Sequence, residues 1–183
     1  MDRMVGFIGL GIMGKPMAKN LVKGGCSLLV NDLNGDAVKE LTDMGAQAAT
    51  LKEIGEKCPV IFTILPNGAI VQSVLFGADG VAEGVKEGSV VVDMSSVTPT
   101  ESKVCAEKLA SLGVDFLDAP VSGGEPKAID GTLAFMVGGK QEAFDRMVTY
   151  FDIMGASALL VGGTGSGSVT KLANQVIVNL NIA

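Results

Sequence analysis

Three glycines near the start of the chain, Gly9, Gly11 and Gly14, stand between an apolar run at 5–8 and a segment of helical spacing at 15–21. Strand, glycine turn and helix N-terminus in that order make a cradle for a dinucleotide pyrophosphate. In this reading Gly9 makes the tight turn and Gly11 lets the backbone approach the phosphates. Gly14 lets the helix pack closely on the strand. Leu10, Ile12 and Met13 fill the rest of the loop, and N–H groups of the first helical turn face negative charge with the helix dipole behind them. The same chemistry asks for an acid at the end of the next strand. Asp32 follows Asn31 at the end of Leu28-Leu29-Val30-Asn31-Asp32, placed to bond the adenine ribose hydroxyl. Its carboxylate would repel a 2′-phosphate, and no arginine follows in Asp32-Leu33-Asn34-Gly35-Asp36. NAD is therefore expected as cofactor, with NADP as the alternative. Asp32 also fits a plain turn ahead of Asn34-Gly35.

Two later strand ends face the same cleft. One is Leu65-Pro66-Asn67, where proline forces the chain out of the strand and backbone groups can run along the dinucleotide. The other is Ser95-Ser96-Val97-Thr98-Pro99. Ser95 or Ser96 there suits a cofactor ribose or carboxamide, or equally the cap of a following helix. The chain has no histidine, which excludes Ser-His-Asp and Cys-His nucleophiles and ordinary histidine metal sites. No metal is expected, and proton transfer must fall to lysine, tyrosine or a carboxyl group.

The elements that would hold these residues alternate in type. Strands are predicted at 4–8, 27–31, 47–49, 60–65, 90–94, 115–118, 134–137 and 158–161. Helices are predicted at 12–23, 36–44, 51–56, 69–75, 100–112 and 141–151, and a loop with three glycines and a proline at 121–131. This βαβ alternation predicts an α/β fold, a Rossmann-type doubly wound and mainly parallel sheet. With 183 residues the chain can bury one full core, and its 48% hydrophobic, 4% aromatic composition suits parallel strands covered by helices. The net charge of −6 argues against a general nucleic-acid surface. Cys26, Cys58 and Cys105 form no CxxC pair and read as reduced thiols. No secretory signal and no run of about 18 uninterrupted apolar residues occurs, so no membrane partner is expected and a cytoplasmic location is.

After Gly162-Gly163-Thr164-Gly165-Ser166-Gly167 a last helical pattern begins, with Val169, Leu172, Ala173, Val176, Ile177 and Leu180 on one stripe. The stripe carries no stop signal. Residues 1–162 are thus expected to form the dinucleotide-binding domain. Residues 163–183 are expected to be a glycine loop and the first part of an interdomain helix, with an all-helical second domain beyond it. A natural terminal helix that frays is the alternative.

Three separated motifs give the chain a family resemblance. Phe7-Ile8-Gly9-Leu10-Gly11-Ile12-Met13-Gly14-Lys15-Pro16-Met17-Ala18-Lys19-Asn20-Leu21 resembles the N-terminal signature of the β-hydroxyacid dehydrogenases. Asp118-Ala119-Pro120-Val121-Ser122-Gly123-Gly124 resembles their substrate-binding segment, and Lys171-Leu172-Ala173-Asn174-Gln175 their catalytic segment. The resemblance implies an NAD(H)-dependent oxidoreductase that interconverts a small anionic 3-hydroxy acid and its semialdehyde. It is finest, through 124–133 and 171–178, to the branch that reduces tartronate semialdehyde to glycerate. The 3-hydroxyisobutyrate branch and an NADPH-dependent glyoxylate or succinic semialdehyde reductase are the alternatives, and a non-catalytic binding module is a further one. Lys171 is implied as general acid or base, since a partly desolvated lysine has a lowered pKa. Without the resemblance it would read as a solvated surface charge. Asn174, one turn on, is implied to orient substrate or Lys171. Ser122, Gly123 and Gly124 are implied to hold the substrate carboxylate through N–H groups and a hydroxyl, where the bare residues also fit a simple turn. Gln175 stands where the family often has asparagine and is implied to touch substrate, and Lys127 adds charge or is a surface residue. The longer family members imply a homo-oligomer formed through the second domain.

Overall fold

In a computed structural model, residues 4–182 are described. They run β1 (Met4–Ile8), α1 (Gly14–Lys23), β2 (Ser27–Asn31), α2 (Gly35–Asp43), β3 (Gln47–Ala48), α3 (Leu51–Lys57), β4 (Val60–Thr63) and α4 (Gly68–Phe76). A short 3-10 turn (Val81–Glu83) precedes β5 (Val90–Asp93), α5 (Pro99–Ala110), β6 (Asp115–Asp118), β7 (Val121–Ser122) and α6 (Gly124–Asp130). The described chain closes with β8 (Leu133–Gly138), α7 (Gln141–Met154), β9 (Gly155–Gly162) and α8 (Ser166–Ile182).

The strands lie in the order β3-β2-β1-β4-β5-β6-β8-β7, with β9 on the other side of β8. Pairing is parallel from β3 to β6 and again between β8 and β9, whereas β8 runs antiparallel to β6 and β7. Because β1 is flanked by β2 on one side and β4 on the other, the winding direction reverses there. A crevice therefore opens beyond the carboxyl ends of β1 and β4.

Short apolar runs such as Leu28-Leu29-Val30, Val60-Ile61-Phe62 and Val90-Val91-Val92 feed a core on each face of the sheet. One face gathers Phe7, Phe62, Val92, Leu117 and Phe135 under α1 and α7. The other gathers Ile8, Ile61, Val91 and Phe116 under α3, α4 and α5. Burying each such large side chain stabilises the fold by about 1.5–3 kcal/mol. Reciprocal capping boxes, Thr50 with Glu53 and Thr98 with Glu101, start α3 and α5.

The sequence reading of 121–131 as a loop is corrected. That stretch holds β7 and the seven-residue helix α6. Glycine and proline mark a break in sequence, yet Pro126 falls in the first turn of α6, where its missing N–H has no intrahelical partner to lose. Gly131, left-handed at φ +68°, then closes the helix. The 3-10 turn at Val81–Glu83 was also not anticipated.

Candidate functional site

The glycine loop joins β1 to α1 across the crevice. Gly9 N–H donates to the Asn31 carbonyl at 3.0 Å, and Ile64 N–H donates to the Ile8 carbonyl at 3.0 Å, so both neighbouring strands grip the turn. Gly9 sits at φ +98°, and a Cβ there would strike the Ile64 carbonyl. At Gly14 a Cβ would run into the Gly9 carbonyl and the Ile64 side chain. A Cβ on Gly11 would meet nothing within 4 Å. Two glycines thus let protein meet protein, and the third leaves open space at the mouth of the helix. The first turn of α1 has no side-chain cap and no acid. The Lys15 and Met17 N–H groups donate to the Gly11 and Met13 carbonyls and Pro16 has no N–H, so the donor that this turn offers an anion is the Gly14 N–H. Leu10 is buried beneath the loop, while Ile12 is 71% exposed beside it.

Asp32 stands just past β2. One carboxylate oxygen accepts the Leu10 N–H and the other accepts the Asn34 N–H at 2.7 Å. A carboxylate offers about four lone-pair positions, so two remain for ribose hydroxyls. Asp32 lines a cavity of about 430 Å³ with Gly9, Gly11, Met13 and Pro66. These residues fit a dinucleotide: an open cradle, an uncapped helix start and a carboxylate one strand away. Asn31 does not line that cavity, and its amide donates to the Ala49 carbonyl at 2.7 Å. Asn67 caps α4 by accepting the Ile70 N–H at 3.0 Å.

The two serines take different places, and neither caps the helix that follows. Thr98, not a serine, caps α5. Ser95 is buried: its hydroxyl donates to the Asp93 carboxylate and accepts the Leu65 N–H at 2.8 Å, which fixes the exit of β4. Ser96 is exposed on the crevice, and Leu65 and Pro66 line the crevice with it.

A cavity of about 370 Å³ brings Met13, Pro66, Ser96, Gly123, Gly124 and Lys171 together. Lys171 and Ser96 also line an adjoining cavity of about 270 Å³ with Asn67, Glu101 and Gln175. Lys171 lies in the second turn of α8, not at its start, because the helix begins at Ser166. Burial pushes its amine below the ordinary lysine range. Asn174, one turn on, donates to the Ser122 hydroxyl at 3.4 Å. Gly123 and Gly124 have φ of +139° and +67° and turn the chain from β7 into α6. The stem of exposed Lys127 lies across Gly123.

Sequence reasoning missed two buried carboxylates, Asp93 and Asp118, which end β5 and β6 side by side in register. Burial pushes both above the usual carboxylate range, against hydrogen bonds that lower them. Asp93 accepts the hydroxyls of Thr63 and Ser95, and Asp118 accepts the N–H groups of Gly165 and Ser168. The signal was present in Val90-Val91-Val92-Asp93 and Phe116-Leu117-Asp118, an acid closing each of two adjacent buried strands.

Among the described residues no helix is long and apolar enough to cross a membrane. Residues 4–163 match the family model of the NAD binding domain of 6-phosphogluconate dehydrogenase. The chain is 46% identical to 2-hydroxy-3-oxopropionate reductase of Escherichia coli K12 over 97% of its own length and 61% of that protein's. It is 40% identical to mitochondrial 3-hydroxyisobutyrate dehydrogenase of Mus musculus, again over 97% of its length and 53% of the relative's. The crystal structure of 3-hydroxyisobutyrate dehydrogenase from Salmonella typhimurium superposes with a TM-score of 0.92 at 34% identity. That match covers 99% of this chain and 64% of that one. The chain thus spans between half and two thirds of the length of these relatives.

Proposed function

The chain belongs to the family of the NAD binding domain of 6-phosphogluconate dehydrogenase, and from that premise we propose that it carries the cofactor and proton-transfer residues of an NAD(H)-dependent β-hydroxyacid dehydrogenase. The proposed reaction interconverts a small 3-hydroxy acid and its semialdehyde, and tartronate semialdehyde with glycerate is the best-supported pair. The observation that carries the reading is the meeting of Lys171, Ser96, Gly123 and Gly124 in one cavity beside the glycine loop.

The geometry supports the following roles. Bound NAD(H) supplies or takes the hydride. The glycine loop and the first turn of α1 hold the pyrophosphate, Asp32 takes the adenine ribose, and Leu65, Pro66 and Ser96 flank the nicotinamide side. Asn31 supports this set through β3, and Asn67 through α4. Ser122, Gly123 and Gly124 receive the substrate carboxylate. Lys171 gives its proton to the carbonyl oxygen in reduction and takes it back in oxidation. Asn174 steadies Ser122, and Gln175 contacts the substrate from the adjoining cavity. Because desolvation lowers Lys171, its proton exchanges closer to neutral pH. Reduction needs the protonated amine, so its rate falls as pH rises through that lowered pKa; oxidation shows the reverse.

Similarity to the mouse and Salmonella enzymes favours 3-hydroxyisobutyrate as the second reading. We assign residues 1–162 to the dinucleotide-binding domain and residues 163–183 to the start of an interdomain helix. We also assign the whole protein a cytoplasmic location and a homo-oligomeric state. By itself the 183-residue chain is expected to bind NAD with little or no turnover, since the relatives are longer. Calorimetric titration with NAD and NADP, followed by a semialdehyde panel on the whole protein, tests the reading. Preference for NADP, or no turnover of any 3-hydroxy acid, overturns it.

A further inference from the structure

Asp118 joins the two halves of the catalytic side. Four residues on from it comes Ser122, followed by the Gly123-Gly124 turn. Its carboxylate reaches across the fold to the other half. One oxygen accepts the Gly165 N–H at 2.7 Å and the other the Ser168 N–H at 2.8 Å. Ser168 is one helical turn before Lys171 on α8. Asp118 is 1% exposed, so these bonds are not shared with bulk water. Burial disfavours its charge, and donors at a helix N-terminus are what offset that cost.

Close packing reinforces the grip. A Cβ at Gly167 would press on the carbonyls of Asp118 and Met136 and lie 3.0 Å from the Asp118 carboxylate, so α8 sits directly on the sheet edge. The Ser168 hydroxyl meets that of Ser102 on α5 at 3.1 Å, which adds a second tether.

We infer that Asp118 is a positioning residue, an internal anion that docks the first turn of α8 and thereby sets Lys171 against Ser122, Gly123 and Gly124. The catalytic meaning of this docking rests on the reading of Lys171 given above; the docking itself does not. Asn in place of Asp118 keeps the size but turns one acceptor into a donor that faces an N–H.

The test is nuclear magnetic resonance on the 183-residue chain, comparing wild type with Asp118→Asn. Amide exchange at Gly165 and Ser168 should accelerate at least tenfold. The Lys171 Cε resonance should titrate at higher pH, toward an ordinary lysine. NAD affinity should stay within threefold, because the glycine loop lies on other strands. Gly167→Ala keeps the carboxylate but pushes the same helix off it, since its Cβ presses on Asp118 and Met136, and should give the same two changes if Asp118→Asn does not fold. Unchanged exchange together with an unchanged Lys171 titration in the folded variant overturns the inference. Failure of wild type to bind NAD would instead count against the proposed function, and leaves both resonance measurements interpretable.

Discussion

The molecule contains two glycine loops that each lead into a helix, and they use their backbone N–H groups in opposite ways. The first, Gly9 to Gly14, leaves the start of α1 uncapped and keeps open space around Gly11. The second, Gly162 to Gly167, delivers the N–H groups of Gly165 and Ser168 to the buried Asp118 carboxylate. One loop awaits an anion from outside; the other already holds one made by the chain. The same local device, a flexible turn with donors at a helix start, therefore serves binding in one place and anchoring in the other. What separates them is whether a strand-end carboxylate reaches the donors.

The largest effect should come from separating the two loops chemically. In the whole protein, Lys171→Ala removes the proton donor on α8 and is expected to lower kcat by about 10²–10⁴-fold. The NAD dissociation constant, measured by calorimetry, should not change, because no part of the first loop is touched. A parallel loss of NAD affinity would break the division of labour.

Gly11→Ala probes the open loop. Its Cβ meets nothing in the protein, so the melting temperature should stay within about 2 °C. The methyl group would occupy space next to the pyrophosphate, and NAD should bind at least about tenfold more weakly, roughly 1.4 kcal/mol. Undiminished affinity would show that Gly11 is not where the backbone meets phosphate.

Ser168→Ala probes the closed loop most gently. It keeps the N–H that serves Asp118 and removes the hydroxyl that meets Ser102. A destabilisation of about 1 kcal/mol is expected, read as a fall of about 2–4 °C in thermal melting.

The open loop was legible in the sequence because its parts are consecutive: strand, glycines and helix follow one another within 4–23. The closed loop was not, because Asp118 and its donors lie 47 and 50 residues apart in the chain. Only the fold shows that an acid ending β6 meets a helix start after β9. The cap reading of Ser95 and Ser96 failed for a related reason. Their neighbour Thr98, with Glu101 three residues later, already carried the capping-box pattern, and the role of Ser95 depends on Asp93 and on Leu65 from another strand. Most element limits were readable from apolar runs and glycine stops. The helix α6 was hidden because Gly124 and Pro126 suggest a break unless their place in the first turn is known.

The packing of Ile64 against Gly9 and Gly14 has a consequence for the order of events during synthesis. The first strand and its glycines leave the ribosome before Ile64 does, yet the wall that shapes their turn is the exit of β4. At about 5–20 residues per second, roughly 3–11 s pass before that wall is made. Throughout that interval the glycine turn lacks the Ile64 contact and β1 is without one of its two neighbours. A nascent-chain series halted before and after Ile64 would then acquire nucleotide-dependent protease resistance only in the longer members.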